Sequence, residues 1–151
     1  MKTVVQRVTR AKVTVDGAVV GEIARGAMLL VGVEKGDGEA DADATARKIA
    51  ALRMFAGKTP MDQTLAEVGG GCLVLSQFTL CASLSKGNRP SFEPAEAPAR
   101  AEALYLRVAD DLRAAGLPVA TGRFGADMAV ELVNDGPVTF LVVAKDGALV
   151  K

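Results

Sequence analysis

Residues 27–33 read Ala-Met-Leu-Leu-Val-Gly-Val and include no polar side chain. A strand with two apolar faces has to be covered on both of them, so this run predicts a strand in the middle of a sheet. Gly36-Asp37-Gly38 follows the run and is typical of a turn. This strand constrains the fold most, because the rest of the chain must cover both of its faces.

Hydrophobic periodicity predicts the elements around this strand. Asp16-Gly17 lies between two apolar runs and is a two-residue hairpin signal. Segments 39–55 and 98–115 have the apolar spacing of helices. The other predicted strands are 4–8, 11–15, 19–23, 72–75, 119–121, 128–133 and 138–143. This order predicts one α+β domain over residues 1–151, with a mostly antiparallel sheet or a partly closed β-barrel and two packed helices.

Composition limits the class of protein. The chain has 151 residues, 50% of them hydrophobic, and it carries 18 Lys+Arg against 18 Asp+Glu. Because strong nucleic-acid binders are usually basic, we expect any bound nucleic acid to be held over a small footprint. No apolar run approaches the ~20 residues of a membrane span, and residues 1–7 lack the apolar segment of a signal peptide. We therefore expect a cytoplasmic protein that makes no membrane contact.

The sequence contains no histidine. This excludes Ser-His-Asp and Cys-His hydrolysis, HExxH metalloproteases and every scheme with an imidazole base. Cys72 and Cys81 are the two cysteines, and without further ligands they do not make a structural zinc site. We expect two free thiols packed as small apolar side chains, no metal site and no cofactor.

A polar cluster, Ser76-Gln77-Phe78-Thr79, follows the apolar strand 72–75. Without a histidine to activate them, the hydroxyls of Ser76 and Thr79 are better explained as partners for backbone groups than as nucleophiles. The main-chain N–H groups are stronger candidates, because an exposed N–H pair after a strand can bind an oxyanion.

The segment Asn134-Asp135-Gly136-Pro137-Val138-Thr139 separates two other predicted strands. Since only ~5–6% of X-Pro bonds are cis, the residues alone favour a trans turn at Gly136-Pro137. Proline has no N–H for a ladder, which leaves nearby carbonyl oxygens free to face a ligand. We predict that this segment and residues 76–79 form one site.

A long loop is predicted over residues 81–94, and its basic part is Lys86-Gly87-Asn88-Arg89-Pro90. Isolated arginines such as Arg7 and Arg89 are usually surface charges, and Arg89 is the stronger ligand candidate because of its loop. For Phe78 and Phe92 we expect packing in the core.

Six segments, in order along nearly the whole chain, resemble those of the D-aminoacyl-tRNA deacylase family. They are Gln6-Arg7-Val8, Gly32-Val33-Glu34-Lys35-Gly36-Asp37, Ser76-Gln77-Phe78-Thr79-Leu80, Lys86-Gly87-Asn88-Arg89-Pro90-Ser91-Phe92, Thr121-Gly122-Arg123-Phe124-Gly125-Ala126 and Asn134-Asp135-Gly136-Pro137-Val138-Thr139. The resemblance implies a cytoplasmic homodimer that cleaves the ester between a D-amino acid and the 3′ acceptor end of tRNA. Activity on glycyl-tRNA mischarged on tRNA-Ala is also implied.

The resemblance further implies how the site is built, with active sites at the subunit interface. Gly136-Pro137 would be cis and would enter the partner's pocket, where its carbonyl oxygens hold the α-ammonium and exclude an L side chain. Water would attack the ester, assisted by main-chain N–H groups near Phe78 and Thr79 and by the ribose 2′-hydroxyl. The implied catalytic residues are Ser76, Gln77, Phe78 and Thr79, the substrate-binding residues Gln6, Arg7, Asn134, Gly136, Pro137, Val138 and Thr139, and the tRNA-binding residues Lys86 and Arg89.

Two alternatives to this enzyme remain open from the sequence. One is a non-catalytic module that captures a free D-amino acid or an aminoacyl end in the same pocket, and it predicts tight binding without turnover. The other is an esterase for small acyl esters that uses Thr79 as nucleophile, and it predicts a trapped acyl-enzyme and complete loss of activity in Thr79→Ala.

Overall fold

The computed structural model describes residues 1–150 of the chain. Seven strands form one sheet, two α-helices pack on it, and a short 3-10 turn, Phe78–Cys81, follows the fourth strand. The strands are β1 (Lys2–Val15), β2 (Ala18–Ile23), β3 (Gly26–Gly32), β4 (Gly71–Ser76), β5 (Val119–Thr121), β6 (Ala129–Lys145) and β7 (Ala148–Val150), and the helices are α1 (Glu39–Ala51) and α2 (Pro98–Ala114).

The strand order is β5-β4-β3-β1-β6-β7, and β2 pairs with the far end of β1. β3–β4 and β4–β5 are parallel, while the other strand pairs are antiparallel. The sheet curls so that β2 meets β5, where a Cβ atom on Gly21 would lie 2.4 Å from the Thr121 carbonyl oxygen. The prediction of a single α+β domain with a mostly antiparallel, partly closed sheet is confirmed.

The two longest strands differ from the sequence prediction. Segments 4–8 and 11–15, predicted as separate strands, belong to β1. Segments 128–133 and 138–143 are joined in β6, except that residue 128 precedes the strand. The β1–β6 register shifts between Gln6 and Val8 and again between Val8 and Arg10. The polar residues in between do not end either strand, because bulges absorb the mismatch while the ladder continues on both sides.

The helices cover one face of the sheet. In α1, Ala42, Ala46 and Ile49 are buried as their spacing predicts. The helix ends at Ala51 rather than at residue 55, because Leu52 takes an extended conformation. In α2 the predicted apolar stripe is buried from Ala101 to Leu112, but its last predicted member, Ala115, lies after the helix and is exposed. Gly116 follows with a positive φ of 87°.

Residues 27–33 are buried on both faces of the sheet except for the half-buried Leu30, as predicted. On the helix side, Leu29 and Val31 pack with α1 and α2. Met28 packs on the other side with Leu73 and Leu75, inside the curl. Among the described residues, neither helix is long and apolar enough to cross a membrane.

Candidate active site

A cavity of about 510 Å³ opens where β4 ends. Its walls combine an apolar interior with a few polar groups, as small-molecule sites do. β4 supplies Leu75 and Ser76, the start of α2 supplies Pro98 and Ala101, and the segment between β5 and β6 closes the far side. The lining residues are Val33, Leu75, Ser76, Gln77, Phe78, Ala95, Glu96, Pro98, Ala101, Phe124, Gly125, Ala126, Asp127, Met128 and Val130.

The predicted polar cluster forms one rim of this cavity. Gln77 N–H donates to the Val31 carbonyl oxygen at 2.8 Å, which ends the β3–β4 ladder and starts the 3-10 turn. The first N–H groups of such a turn have no acceptor within it. Among the described residues, the N–H groups of Phe78 and Thr79 have no hydrogen-bond acceptor. Gln77 Nε2 donates to Thr79 Oγ1, so these two side chains hold each other in place.

Tyr105 on α2 supports the opposite wall. Its ring stacks on Phe124 with centroids 5.9 Å apart and planes at 24°, and it is 2% exposed. Burial raises the pKa of the Tyr105 hydroxyl. Since Phe124 lines the cavity and Tyr105 does not, Tyr105 fixes the position of the wall from behind.

Two carboxylates face the cavity. Glu96 accepts a hydrogen bond from the Ala97 N–H at 2.7 Å and lies 3.4 Å from Arg100 Nε, which secures the start of α2. Asp127 is exposed and forms no ion pair within the described residues. The cavity therefore combines one structurally engaged carboxylate with one that is free to meet solvent or ligand.

A second cluster of predicted residues lies on β1 and β6 and is organised by Arg7. Arg7 Nε donates to the Asp135 carbonyl oxygen at 2.7 Å, and Arg7 Nη1 donates to the Met54 carbonyl oxygen at 2.6 Å. The expectation of a surface charge at Arg7 is wrong, because this side chain is only 14% exposed. Nearby, Gln6 Nε2 donates to Thr139 Oγ1 at 3.3 Å.

Asn134 holds the bulge that carries Gly136 and Pro137. Its Nδ2 donates to the carbonyl oxygens of Arg7 and Val138 at 3.0 and 3.1 Å. A Cβ atom on Gly136 would lie 2.2 Å from Asn134 Oδ1, so the bulge accepts no side chain there. Gly136 and Pro137 are exposed, have no partner residue on β1, and are joined by a cis peptide bond rather than the trans bond that the residues alone favour.

Within one chain, the two clusters are separate. Ser76 pairs with Val31, Val31 with Thr3 and Thr3 with Val142, so three strand spacings and part of β6 lie between Ser76 and Pro137. Strand spacing and rise make this roughly 20 Å along the sheet. The cavity of a single chain therefore does not include the Gly136-Pro137 segment.

The basic loop projects beside the cavity. Backbone hydrogen bonds of 2.8 and 3.0 Å join Ser83 and Ser91, and every residue between them is exposed. Phe78 and Phe92 are 56% and 40% exposed, so the prediction that they pack in the core is wrong. Phe78 comes after the end of β4, and Phe92 comes after the Ser83–Ser91 bridge. The two rings pack on each other at the surface.

The two cysteines are free and buried, as predicted. Burial raises the pKa of Cys72 to about 12 and that of Cys81 to about 11, so both thiols stay protonated near neutral pH. Among the described residues, no three His, Cys, Asp or Glu side chains are grouped so that they could hold a metal ion.

Sequence reasoning missed part of the cavity wall. Phe124, Asp127 and Met128 line the cavity but were not chosen as site residues. The signal that was available is the segment 121–126, one of the six that carry the family resemblance. Glu96 gave no signal, because a single carboxylate before a helix is usually a charge at the helix start.

The fold and the cavity can be compared with known proteins. The D-aminoacyl-tRNA deacylase of Paracoccus denitrificans (strain Pd 1222) is 52% identical over 149 residues, covering 98% of this chain and 100% of the relative. The D-aminoacyl-tRNA deacylase of Anaeromyxobacter dehalogenans (strain 2CP-C) is 57% identical over 145 residues, covering 94% and 96%.

Solved structures agree with this similarity. A structure titled "c-Myc DNA Unwinding Element Binding Protein" has a TM-score of 0.89 at 37% identity and covers 96% of this chain and 99% of its own. A structure titled as a probable eukaryotic D-amino acid tRNA deacylase has a TM-score of 0.78 at 18% identity, covering 93% and 97%, and supports the fold alone.

Because these relatives are deacylases and match nearly the whole chain, the chain is classed among the esterase-type hydrolases. A model of the family described as D-Tyr-tRNA(Tyr) deacylase matches residues 4–143. The chain belongs to that family.

Proposed function

We propose that this protein hydrolyses the ester bond of D-aminoacyl-tRNA and releases the free D-amino acid and tRNA. The observation that carries the proposal is the pair of unpaired N–H groups at Phe78 and Thr79, on the rim of an apolar cavity. An ester carbonyl at this rim would develop negative charge on its oxygen, and two fixed donors would stabilise that charge. Family membership supports the same substrate.

The chemistry fits a chain without histidine. An aminoacyl ester is already activated, so positioning and oxyanion stabilisation supply much of the rate. A water oxygen forms the new bond to the carbonyl carbon, and the bond to the tRNA 3′ oxygen breaks as the tetrahedral intermediate collapses. The proton from water reaches the leaving 3′ oxygen, and the neighbouring ribose 2′-hydroxyl serves as the relay. Ser76, Gln77 and Thr79 orient the substrate on this side.

Chirality is selected by exclusion in this proposal. The carbonyl oxygens of Gly136 and Pro137 bind the α-ammonium and leave no space for an L side chain, while a D side chain points away. Rejecting L residues does not require recognition of each D side chain. Glycine has no side chain to exclude, so glycyl-tRNA mischarged on tRNA-Ala is also a substrate.

The active form is a homodimer with its active sites at the subunit interface. The separation of Ser76 from Pro137 within one chain supports this arrangement, because the exposed bulge of one copy can reach the cavity of another. Gln6, Arg7, Asn134, Val138 and Thr139 hold the bulge in shape. Lys86 and Arg89 contact tRNA, and the enzyme works in the cytoplasm, without a cofactor.

The test compares D-Tyr-tRNA with L-Tyr-tRNA at low enzyme concentration, with a chelator present. We expect rapid loss of the D ester and survival of the L ester. If both esters survive while the protein binds D-Tyr-tRNA, the chain is a binding module. If both esters are cleaved, the proposed hydrolysis is supported, but the proposed exclusion of L residues by Gly136-Pro137 is wrong.

A further inference from the structure

Phe78 and Phe92 form an exposed aromatic pair beside the cavity. They are 56% and 40% exposed, and their centroids lie 5.0 Å apart with the planes at 64°. The other phenylalanines, Phe55, Phe124 and Phe140, are buried or partly buried. Two adjacent exposed rings form an aromatic patch on the surface, and exposed apolar patches often mark a site where a partner binds.

The position of the pair connects it to the cavity. Phe78 lines the cavity, while Phe92 lies outside the lining. Backbone hydrogen bonds hold the segment that follows Phe92. The Phe92 carbonyl oxygen accepts from the Ala95 N–H at 3.0 Å, and the Glu96 N–H donates to the Val33 carbonyl oxygen at 3.0 Å. The rings meet at a steep angle, so neither ring fully covers the faces of the other.

The loop before Phe92 carries two cationic side chains, while one exposed carboxylate, Glu93, follows Phe92. Lys86 and Arg89 lie in the exposed loop that the Ser83–Ser91 bridge closes. Neither forms an ion pair within the described residues. A loop that carries cations and leads to exposed aromatic rings has the two groups that bind single-stranded nucleic acid, because bases stack on the rings and cations neutralise the phosphates.

We propose that Phe92, supported by Phe78, is a stacking shelf for the nucleotide that precedes the terminal adenosine of the substrate, and that Lys86 and Arg89 neutralise the phosphates there. The inference rests on the proposed function, which places the ester and the terminal nucleoside in the cavity. The shelf lies outside that cavity, at the point where the RNA of the substrate leaves it. It gives the enzyme affinity for an RNA end whatever amino acid is attached.

The test uses D-tyrosyl esters of increasing length: adenosine, the dinucleotide CA, and full tRNA. Phe92→Leu keeps apolar bulk and removes the π-face. Because stacking on an aromatic residue has a measurable value per base, we expect KM to rise about 5- to 150-fold for the dinucleotide and the tRNA. The adenosine ester has no upstream base, so its KM should stay within about twofold.

Two further variants control for folding and for loop effects. Phe92→Trp restores a π-face and should return KM for the dinucleotide close to the wild-type value. Leu84→Ala removes a 75% exposed apolar side chain from the same loop and should leave all three substrates unchanged.

An equal rise in KM for all three esters would overturn the shelf, since Phe92 would then act through the cavity. So would a loss of dimer on gel filtration with an equal effect on all esters, because the rings would then cover a second copy. No effect on any ester would also overturn it. If the wild-type protein cleaves none of the esters, the proposed function fails; if it cleaves them and Phe92→Leu behaves like wild type, only the shelf fails.

Discussion

Arg7 Nε donates a hydrogen bond to the main-chain oxygen of Asp135 at 2.7 Å, and the same guanidinium reaches the Met54 carbonyl oxygen at 2.6 Å. One side chain thus joins β1 to the bulge of β6 and to the segment after α1. A planar guanidinium serves two acceptors in fixed directions, which a lysine ammonium does not reproduce.

Replacing Arg7 by Lys should therefore loosen the Gly136-Pro137 bulge. Only the Asp135 carbonyl oxygen belongs to the bulge, and leaving it without its charged donor costs about 1–3 kcal/mol, so we expect kcat/KM for D-Tyr-tRNA to fall about 5- to 150-fold. Initial rates at low substrate measure this. Lys12→Ala is the control, since Lys12 also lies on β1 and forms an exposed ion pair with Glu131 of β6. Equal losses in both variants would contradict the prediction.

Thr79→Ala should retain activity. Its side chain accepts from Gln77, and removing that contact should cost no more than about 100-fold in kcat, whereas loss of a true nucleophile costs on the order of 10⁶-fold. Single-turnover hydrolysis of D-Tyr-tRNA measures the step, with Thr79→Ser as control. An acyl group found on Thr79 by peptide mass spectrometry of the wild type, and absent from Thr79→Ala, would show instead that Thr79 is the nucleophile.

Tyr105→Leu should raise KM with little change in kcat, because the cavity wall at Phe124 loses its stacked support. An aromatic pair contributes about 0.5–1.5 kcal/mol beyond its burial, which corresponds to a KM change of about 2- to 12-fold. Tyr105→Phe keeps the ring and is the control. A fall in kcat alone, with KM unchanged, would disprove the wall-support role.

Asp37→Asn should destabilise the fold. Asp37 is 5% exposed, with one oxygen 2.7 Å from the Met1 ammonium and the other accepting the Glu34 N–H at 2.7 Å. Breaking a buried ion pair leaves a charge without a partner and costs about 3–5 kcal/mol, measured by urea unfolding. Asp110→Asn disrupts an exposed pair with Arg113 and should cost less than about 1 kcal/mol.

Asp111→Asn should stabilise the protein in a pH-dependent way. Burial raises the pKa of Asp111, and the Asp43 carboxylate raises it further, while Arg107 opposes the shift. A carboxyl group whose pKa is higher in the folded than in the unfolded state lowers the free energy of unfolding as pH rises through its titration range. The variant should gain less than about 1 kcal/mol at pH 7, because the group is partly exposed, and nothing below about pH 3, where both states are protonated. A gain of equal size at both pH values would rule out ionisation as the cause.

The fold was predictable where the signal is local. The apolar run 27–33, the Asp16-Gly17 turn and the stripe on α2 each depend on near neighbours in sequence, and each is found in the structure. Of the site, the strand-end position of Ser76 followed from the same kind of pattern. The role proposed for the Gly136-Pro137 segment rests on family resemblance, because a Gly-Pro pair alone favours an ordinary turn.

The sequence by itself determined the elements, because periodicity and turn residues act within a few positions of one another. Only the tertiary structure decided that β1 and β6 run on through their polar interruptions, since each is held by the other strand across the ladder. Tertiary structure also decided that Phe78 and Phe92 remain exposed and that Ser76 and Pro137 lie apart within one chain. Burial and distance depend on partners remote in sequence, and no local pattern of residues encodes them.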